Sequence, residues 1–336
     1  MARTLCSIAS AFLIIIGVAV PPGRGWAAGT EAPLVLEATI PLPDVTGRID
    51  HMAVDAKRKR LIVAELGNNT VDVVDLAAGK VIHRVTGLPE PQGVGYSERA
   101  DLVFVASAGD GSVRLFRGED LAPAGSVALG DDADNVRVDP RTGLLVVGFG
   151  RGGLALIDPV SCAKVAEVRL PAHPEGFQVD PETDRAFVNV PNAGQVAAVD
   201  LRARRVVGTW PMRDLGDNFP MALDPASPLL AAVFRHPPVL ALLDRDGGAI
   251  RGEARACGDA DDVFFDGRRH RIYVSCGAGT VAVFQVEGDS MRPLPSVETA
   301  PGARTSLFVP DLDRLFVARR TGPRGAAAVL VYRPLP

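Results

Sequence analysis

A short run of alternating apolar and polar residues ending in a turn recurs along the chain. It reads His51-Met52-Ala53-Val54-Asp55, Gly93-Val94-Gly95-Tyr96-Ser97, Asn135-Val136-Arg137-Val138-Asp139 and Gly176-Phe177-Gln178-Val179-Asp180. It returns as Pro220-Met221-Ala222-Leu223-Asp224, Asp262-Val263-Phe264-Phe265-Asp266 and Ser306-Leu307-Phe308-Val309-Pro310. The last residues of these runs fall at 55, 97, 139, 180, 224, 266 and 310, steps of 42, 42, 41, 44, 42 and 44. Most repeats carry three further runs of period two, which in the first are residues 60–65, 70–76 and 80–85. Such alternation, bounded by Gly and Asn, marks short antiparallel strands joined by tight turns. One four-stranded sheet cannot cover both its faces, so four strands per repeat predict blades stacked radially about a channel. The expected fold class is all-β, a seven-bladed β-propeller.

The seventh repeat is one strand short. After residues 307–309, 315–318 and 326–332 the sequence reaches Pro336, while residues 34–40 form a strand-like run with no blade of their own. The N-terminal strand is therefore expected to join the last blade, closing the ring and covering an otherwise open edge. Ahead of it, residues 1–27 read as a secretory signal: Arg3, an apolar run over 8–20, Pro21-Pro22-Gly23, then small Gly25 and Ala27. That apolar run of 13 residues falls short of the roughly 20 needed to cross a bilayer. The expected organisation is a signal over 1–27 and one propeller over 28–336, periplasmic or secreted, monomeric, with no membrane span after cleavage.

Composition narrows the partners. Hydrophobic residues make up 47% and charged residues 23%, enough to bury a sizeable core, while 35 Gly and 27 Pro disfavour long helices. A net charge of −4 with 5% aromatics argues against nucleic acid, which needs clustered cations and stacking platforms. The run Lys57-Arg58-Lys59-Arg60 reads as a solvated hairpin turn. Export would expose Cys162, Cys257 and Cys276 to an oxidising compartment. The repeat register sets Cys257 and Cys276 at the same end of one blade, so these two are expected to pair and Cys162 to stay free. No CxxC pair offers a structural zinc site.

Residues 60–64 (Arg-Leu-Ile-Val-Ala) followed by Gly67-Asn68-Asn69-Thr70-Val71-Asp72-Val73-Val74-Asp75 resemble the YVTN-type β-propeller repeat of exported bacterial proteins. Arg271-Ile272-Tyr273-Val274-Ser275 with Gly279-Thr280-Val281, and Arg185-Ala186-Phe187-Val188-Asn189 with Gly194-Gln195-Val196, are related versions. Repeats three and five depart from the pattern, with Gly150 to Gly153 and His236-Pro237-Pro238 in place of the Asn-rich turn. The resemblance implies a propeller and no single activity, because relatives include surface-layer components and heavy subunits of quinone-dependent dehydrogenases.

Ligand sites of propellers usually lie at the channel mouth. One equivalent residue per blade, five positions before the turn, falls there: Asp50, Gln92, Asp134, Glu175, Phe219, Asp261 and Thr305, with His51, Asn135, Asn218 and Asp262 adjacent. His173 and His236 belong to the same face, with Arg48 and Arg235 as anion contacts. A ring of carboxylates raises its members' pKa values or recruits a cation, calcium by its oxygen donors or another divalent metal where His joins. By analogy with regucalcin-like lactone hydrolases, Glu175, Asn218 and Asp261 would be metal ligands, with Asp134 or His51 as proton acceptor. The same carboxylates equally suit turn caps and ordered water.

Three functions follow as expectations. The first is an exported scaffold binding a protein or small molecule at an acidic mouth. The second is a divalent-metal-dependent hydrolase of lactones or related esters. The third is an accessory subunit of a periplasmic oxidoreductase whose redox centre sits in a partner. Other motifs carry less: the turn residues Asp55, Asp139, Asp180, Asp224 and Asp266 read as turn caps, and residues 148–153 as a hairpin, not a phosphate cradle.

Overall fold

The computed structural model describes Met1 and residues 32–336, so the signal segment expected over 1–27 lies outside the described residues. Seven antiparallel sheets follow one another along the chain. Blade 1 holds Met52–Asp55, Arg60–Glu65, Thr70–Asp75 and Lys80–Thr86, and blades 2 to 5 repeat this order from Pro91–Ser97 to Ile250–Arg255. Among the described residues the only helical pieces are two three-residue 3-10 turns, Leu66–Asn68 and Pro191–Ala193.

Blade 7 is closed as expected. Ser306–Val309, Arg314–Arg319 and Ala328–Pro334 are completed by Leu34–Pro41, which runs antiparallel to Ala328–Pro334 with Leu34 opposite Pro334 and Pro41 opposite Ala328. Backbone bonds from Leu42 to Ala327 and from Leu335 to Pro33 extend this seam. In blade 6 the outer edge is broken: Ser290–Pro293 and Val297–Glu298 both pair with Thr280–Glu287. Pro293 and Pro295 have no N–H to donate, so one continuous outer strand cannot form there.

The core is divided among the seven interfaces between blades. Period two explains how: in Arg60–Glu65, Leu61 and Val63 pack toward blade 7 while Ile62 and Ala64 pack toward blade 2. In Leu102–Ser107, Val103 and Val105 share the slab with blade 1, and Phe104 and Ala106 face blade 3. Neighbouring sheets must come close, which suits Val and Ala. Glycine is required at one hairpin, where a Cβ on Gly152 would lie 2.4 Å from the Leu170 carbonyl oxygen and φ is +147°. That hairpin joins Leu145–Phe149 to Gly153–Asp158, the turn expected of residues 148–153.

The turn aspartates are caps and also clamps. Asp55, Asp139, Asp180, Asp224 and Asp266 each accept a backbone N–H two or three residues on. Arg269 bridges Asp266 of its own blade at 2.9 Å to Asp313 of blade 7 at 2.7 Å, and Tyr273 donates to Asp266 at 2.7 Å. Arg58 spans Asp55 and Asp101 of blade 2 in the same way. Cys257 and Cys276 form a disulfide at one end of blade 6, with Cα atoms 6.0 Å apart, and among the described residues Cys162 has no disulfide partner.

Two outcomes follow. Replacing Arg269 with Ala should cost about 2–4 kcal/mol in chemical denaturation, because it strands the buried Asp266 carboxylate, whereas Arg117→Ala, from an exposed pair, should cost less than about 1 kcal/mol. Deleting residues 29–42 removes Leu34, Ile40 and Leu42, all nearly fully buried and each worth about 1.5–3 kcal/mol. Calorimetry should show the melting temperature lowered by at least several degrees, and an unchanged value would rule out the seam.

Candidate functional site

The inner strands surround a cavity of about 950 Å³ lined at one end by Arg48, Asp50, His51, Asp134, Glu175, Arg235, Asp261 and Arg304. All but Arg235 are delivered where a lead-in loop becomes an inner strand, so the repeat itself spaces them around the rim, and Arg235 comes from the end of the second strand of blade 5, Leu229–His236. The expectation of an acidic collar needs correction: arginines stand among the carboxylates and pair with them. Arg48 Nη2 lies 2.7 Å from Asp50 Oδ2. Asp261 is held by Arg235 at 2.7 Å and Arg304 at 2.8 Å, and both guanidinium groups also reach Asp259. The Arg235 guanidinium carbon sits 3.7 Å from the centroid of the Phe219 ring, a close cation–π stack.

On the opposite side of the rim His173 is the centre. Its Nδ1 donates to the Gly150 carbonyl at 2.6 Å, and it lies 3.6 Å from Asp132 and 3.8 Å from Asp134. His51 is set between Asp50 at 3.9 Å and Asp262 at 3.8 Å, and Asp262 also accepts the Ser306 N–H at 2.7 Å. Gln92 donates to Asp132 at 3.4 Å. Thr305 is buried and donates to the Ile49 carbonyl, tying blade 7 to blade 1.

Burial and neighbouring charge sort the acids. Burial pushes the Glu175 carboxyl up to about 8, aided by Asp134 and Asp261 and opposed by His173 and Arg235. Burial likewise carries Asp262 to about 7 and Asp50 to about 6, against the pull of His51 on both and of Arg48 on Asp50. Burial alone would depress His173, but Asp134, the Gly150 carbonyl and Asp132 outweigh it and raise the imidazole to about 9. Burial also works against the charged form of Asp134, yet His173 and His51 hold it below the usual carboxylate range. Near neutrality Glu175 is therefore mostly protonated, Asp262 partly so and Asp50 largely ionised, all beside permanently charged guanidinium groups.

The residues expected to bind a metal are not brought together as a donor set. Asn218 is buried between blades 4 and 5, its Nδ2 donating to Asn189 Oδ1 at 2.7 Å and to the Gln195 carbonyl at 3.1 Å. Asp261 is occupied by two guanidinium groups, and Glu175 faces the channel from blade 4. Among the described residues, no three His, Cys, Asp or Glu side chains are grouped to hold a metal ion. His236 lies outside the cavity lining, 77% exposed and paired with Asp217. Asn135 is buried beside Asp134, its Oδ1 without a hydrogen-bond partner.

Among the cavity residues that the repeat pattern did not single out are Arg304 and Arg137. Arg304 stands one place before the blade-7 rim position, and Arg137 lies inside an inner strand at a place where the other repeats carry Ala53, Gly95, Gln178, Ala222, Phe264 and Phe308. That lone charge in an otherwise uncharged column was the available signal.

No family model matches the chain, and no curated protein matches it. Solved structures do. Hydrazine synthase of Kuenenia stuttgartiensis is similar at 14% identity and TM-score 0.72, covering 88% of this chain and 96% of that one. A chain of the mitotic checkpoint complex is similar at 14% identity and TM-score 0.76, covering 99% of this chain and 100% of that one. The chain is a seven-bladed β-propeller. At such identities the likeness concerns the fold alone, and function must be argued from the site.

Stability should report the buried acid. Between pH 4.5, the ordinary value, and about 8, folded Glu175 holds a proton that the unfolded chain releases, so its contribution to stability falls as pH rises. Glu175→Gln removes that titration; His173 and Asp262 act in the same direction in both proteins. The variant should match the parent near pH 4 and exceed it by about 1–3 kcal/mol at pH 8.5 in urea titrations. A pH-independent difference would refute the assignment.

Proposed function

We propose that this propeller is an exported binding scaffold whose ligand, a protein or a small molecule, seats at the channel mouth. The observation that carries this reading is the rim itself. Blades 1, 3, 4, 5, 6 and 7 contribute Arg48, Asp50, Asp134, Glu175, Arg235, Asp261 and Arg304 around one open cavity, cross-braced by ion pairs within and between blades. Such bracing fixes recognition groups before a ligand arrives, which lowers the ordering cost of binding. Phe219 under Arg235 adds a flat surface of mixed apolar and cationic character. One of the similar propellers is a component of the mitotic checkpoint complex, a protein assembly, in keeping with a scaffold role.

The hydrolase alternative requires a cation on Glu175, Asn218 and Asp261, and the Asp261 carboxylate is already held by two guanidinium groups. A paired experiment separates the readings. The parent protein, incubated with millimolar calcium or zinc, should show no metal-dependent opening of γ-butyrolactone or gluconolactone. Across a thermal-shift panel of sugars, organic acids, amines and peptides, at least one class should give a saturable shift. Arg235→Ala should weaken that ligand by at least about tenfold, roughly 1.4 kcal/mol. Lactone opening that depends on Glu175 and Asp261, or ligand shifts indifferent to Arg235, would overturn the proposal.

A further inference from the structure

Below the rim the cavity changes character. Along its inner strand Arg137 lies three residues past Asp134, about 10 Å deeper into the channel. It is partly buried and lines the cavity. Its Nη1 donates at 2.8 Å to the carbonyl of its own neighbour Val136, and its guanidinium carbon lies 5.6 Å from the Phe177 ring centroid. Among the described residues no carboxylate oxygen comes within 4.0 Å of it. The rim arginines Arg48, Arg235 and Arg304 all have such partners. None of the remaining nitrogens of Arg137 is a sealed, partnerless atom, so they open onto the cavity. Around the same stretch of channel stand Val54, Val179, Leu223, Phe264 and Leu307, apolar and only partly covered.

An ionised group in such surroundings normally has a counter-charge and filled hydrogen bonds. We infer that the channel takes up a small organic carboxylate, its headgroup accepting from the free donors of Arg137 and its apolar body lying along the lower lumen. This rests on the mouth being the binding face and names the chemical class that enters there. The guanidinium suits the ligand because it stays charged and presents a planar fork that matches a carboxylate. Of the acids nearest the path, Glu175 is pushed up to about 8 and Asp262 to about 7, so near neutrality the first is mostly and the second partly protonated, and His51 stands between Asp262 and Asp50. Asp134 remains ionised but is paired with His173.

Calorimetric titration of the full mature chain with hexanoate, hexanamide and inorganic phosphate tests this. Hexanoate should bind saturably, hexanamide and phosphate at least about tenfold more weakly, since one lacks the charge and the other the apolar body. Arg137→Met keeps a long side chain without charge and should weaken hexanoate by roughly tenfold to a hundredfold, the usual effect of losing a charge-assisted hydrogen bond. It should leave the weak response to hexanamide unchanged. Arg137→Lys, which keeps the charge, should bind hexanoate more tightly than the Met variant and confirms a folded channel by its circular dichroism. A merely structural Arg137, bracing Phe177, would change both ligands alike, and that result overturns the inference. So does equal binding of hexanoate and its amide, phosphate bound as tightly as hexanoate, or no hexanoate binding at all. If hexanoate fails while another ligand still depends on Arg235, the scaffold reading stands and only the carboxylate assignment falls.

Discussion

Each blade is a thin sheet with apolar side chains on both faces, and neither face can be left in water. Every strand of period two therefore serves two cores at once, as Leu61 and Ile62 do on opposite sides of one backbone. The requirement is cyclic: the last blade needs a neighbour, and the only one available is the first. The Leu34–Pro41 strand satisfies it by completing blade 7, where it shares the blade-6 and blade-1 slabs through Leu34 and Ile40. Because the hydrophobic effect is spread over seven interfaces, loss of the seam exposes one slab directly and frees the ring to open.

The channel follows from the same constraint. Packing seven twisted sheets about an axis leaves a passage bounded by inner strands, and the strand ends and loops at its mouth bring distant residues within bonding distance. Arg235 and Arg304, 69 residues apart in the sequence, meet on Asp261. Burial then acts unequally on the two signs of charge. A carboxyl can escape the cost of desolvation by taking a proton, as Glu175 does, whereas a guanidinium cannot. A rim rich in acids along the sequence thus becomes, at neutral pH, a mixed surface in which a protonated Glu175 stands beside paired guanidinium and carboxylate groups.

Much of this molecule was legible in the sequence. The 42-residue period, the period-two runs and the incomplete seventh repeat dictated sheets, their number and the role of the N-terminal strand, because strand alternation and turn chemistry are local properties that burial on two faces merely ratifies. The five turn aspartates likewise behave as their neighbours implied, accepting N–H groups within three residues. The Cys257–Cys276 link could be placed because both ends lie in one blade, where register alone sets their proximity.

The site was legible only in outline. Repeat alignment placed Asp50, Asp134, Glu175 and Asp261 on the rim, but it treats each blade alone and cannot show which blades share a side chain. Asn218 turns into the blade 4–5 interface, His236 turns outward, and Arg304 enters from a position the alignment passes over. Side-chain pairing, the protonation of Glu175 and the isolation of Arg137 depend on distances between blades and on how much water remains. Those quantities exist only once the ring is closed, so local pattern determined the scaffold and tertiary packing alone decided its electrostatics.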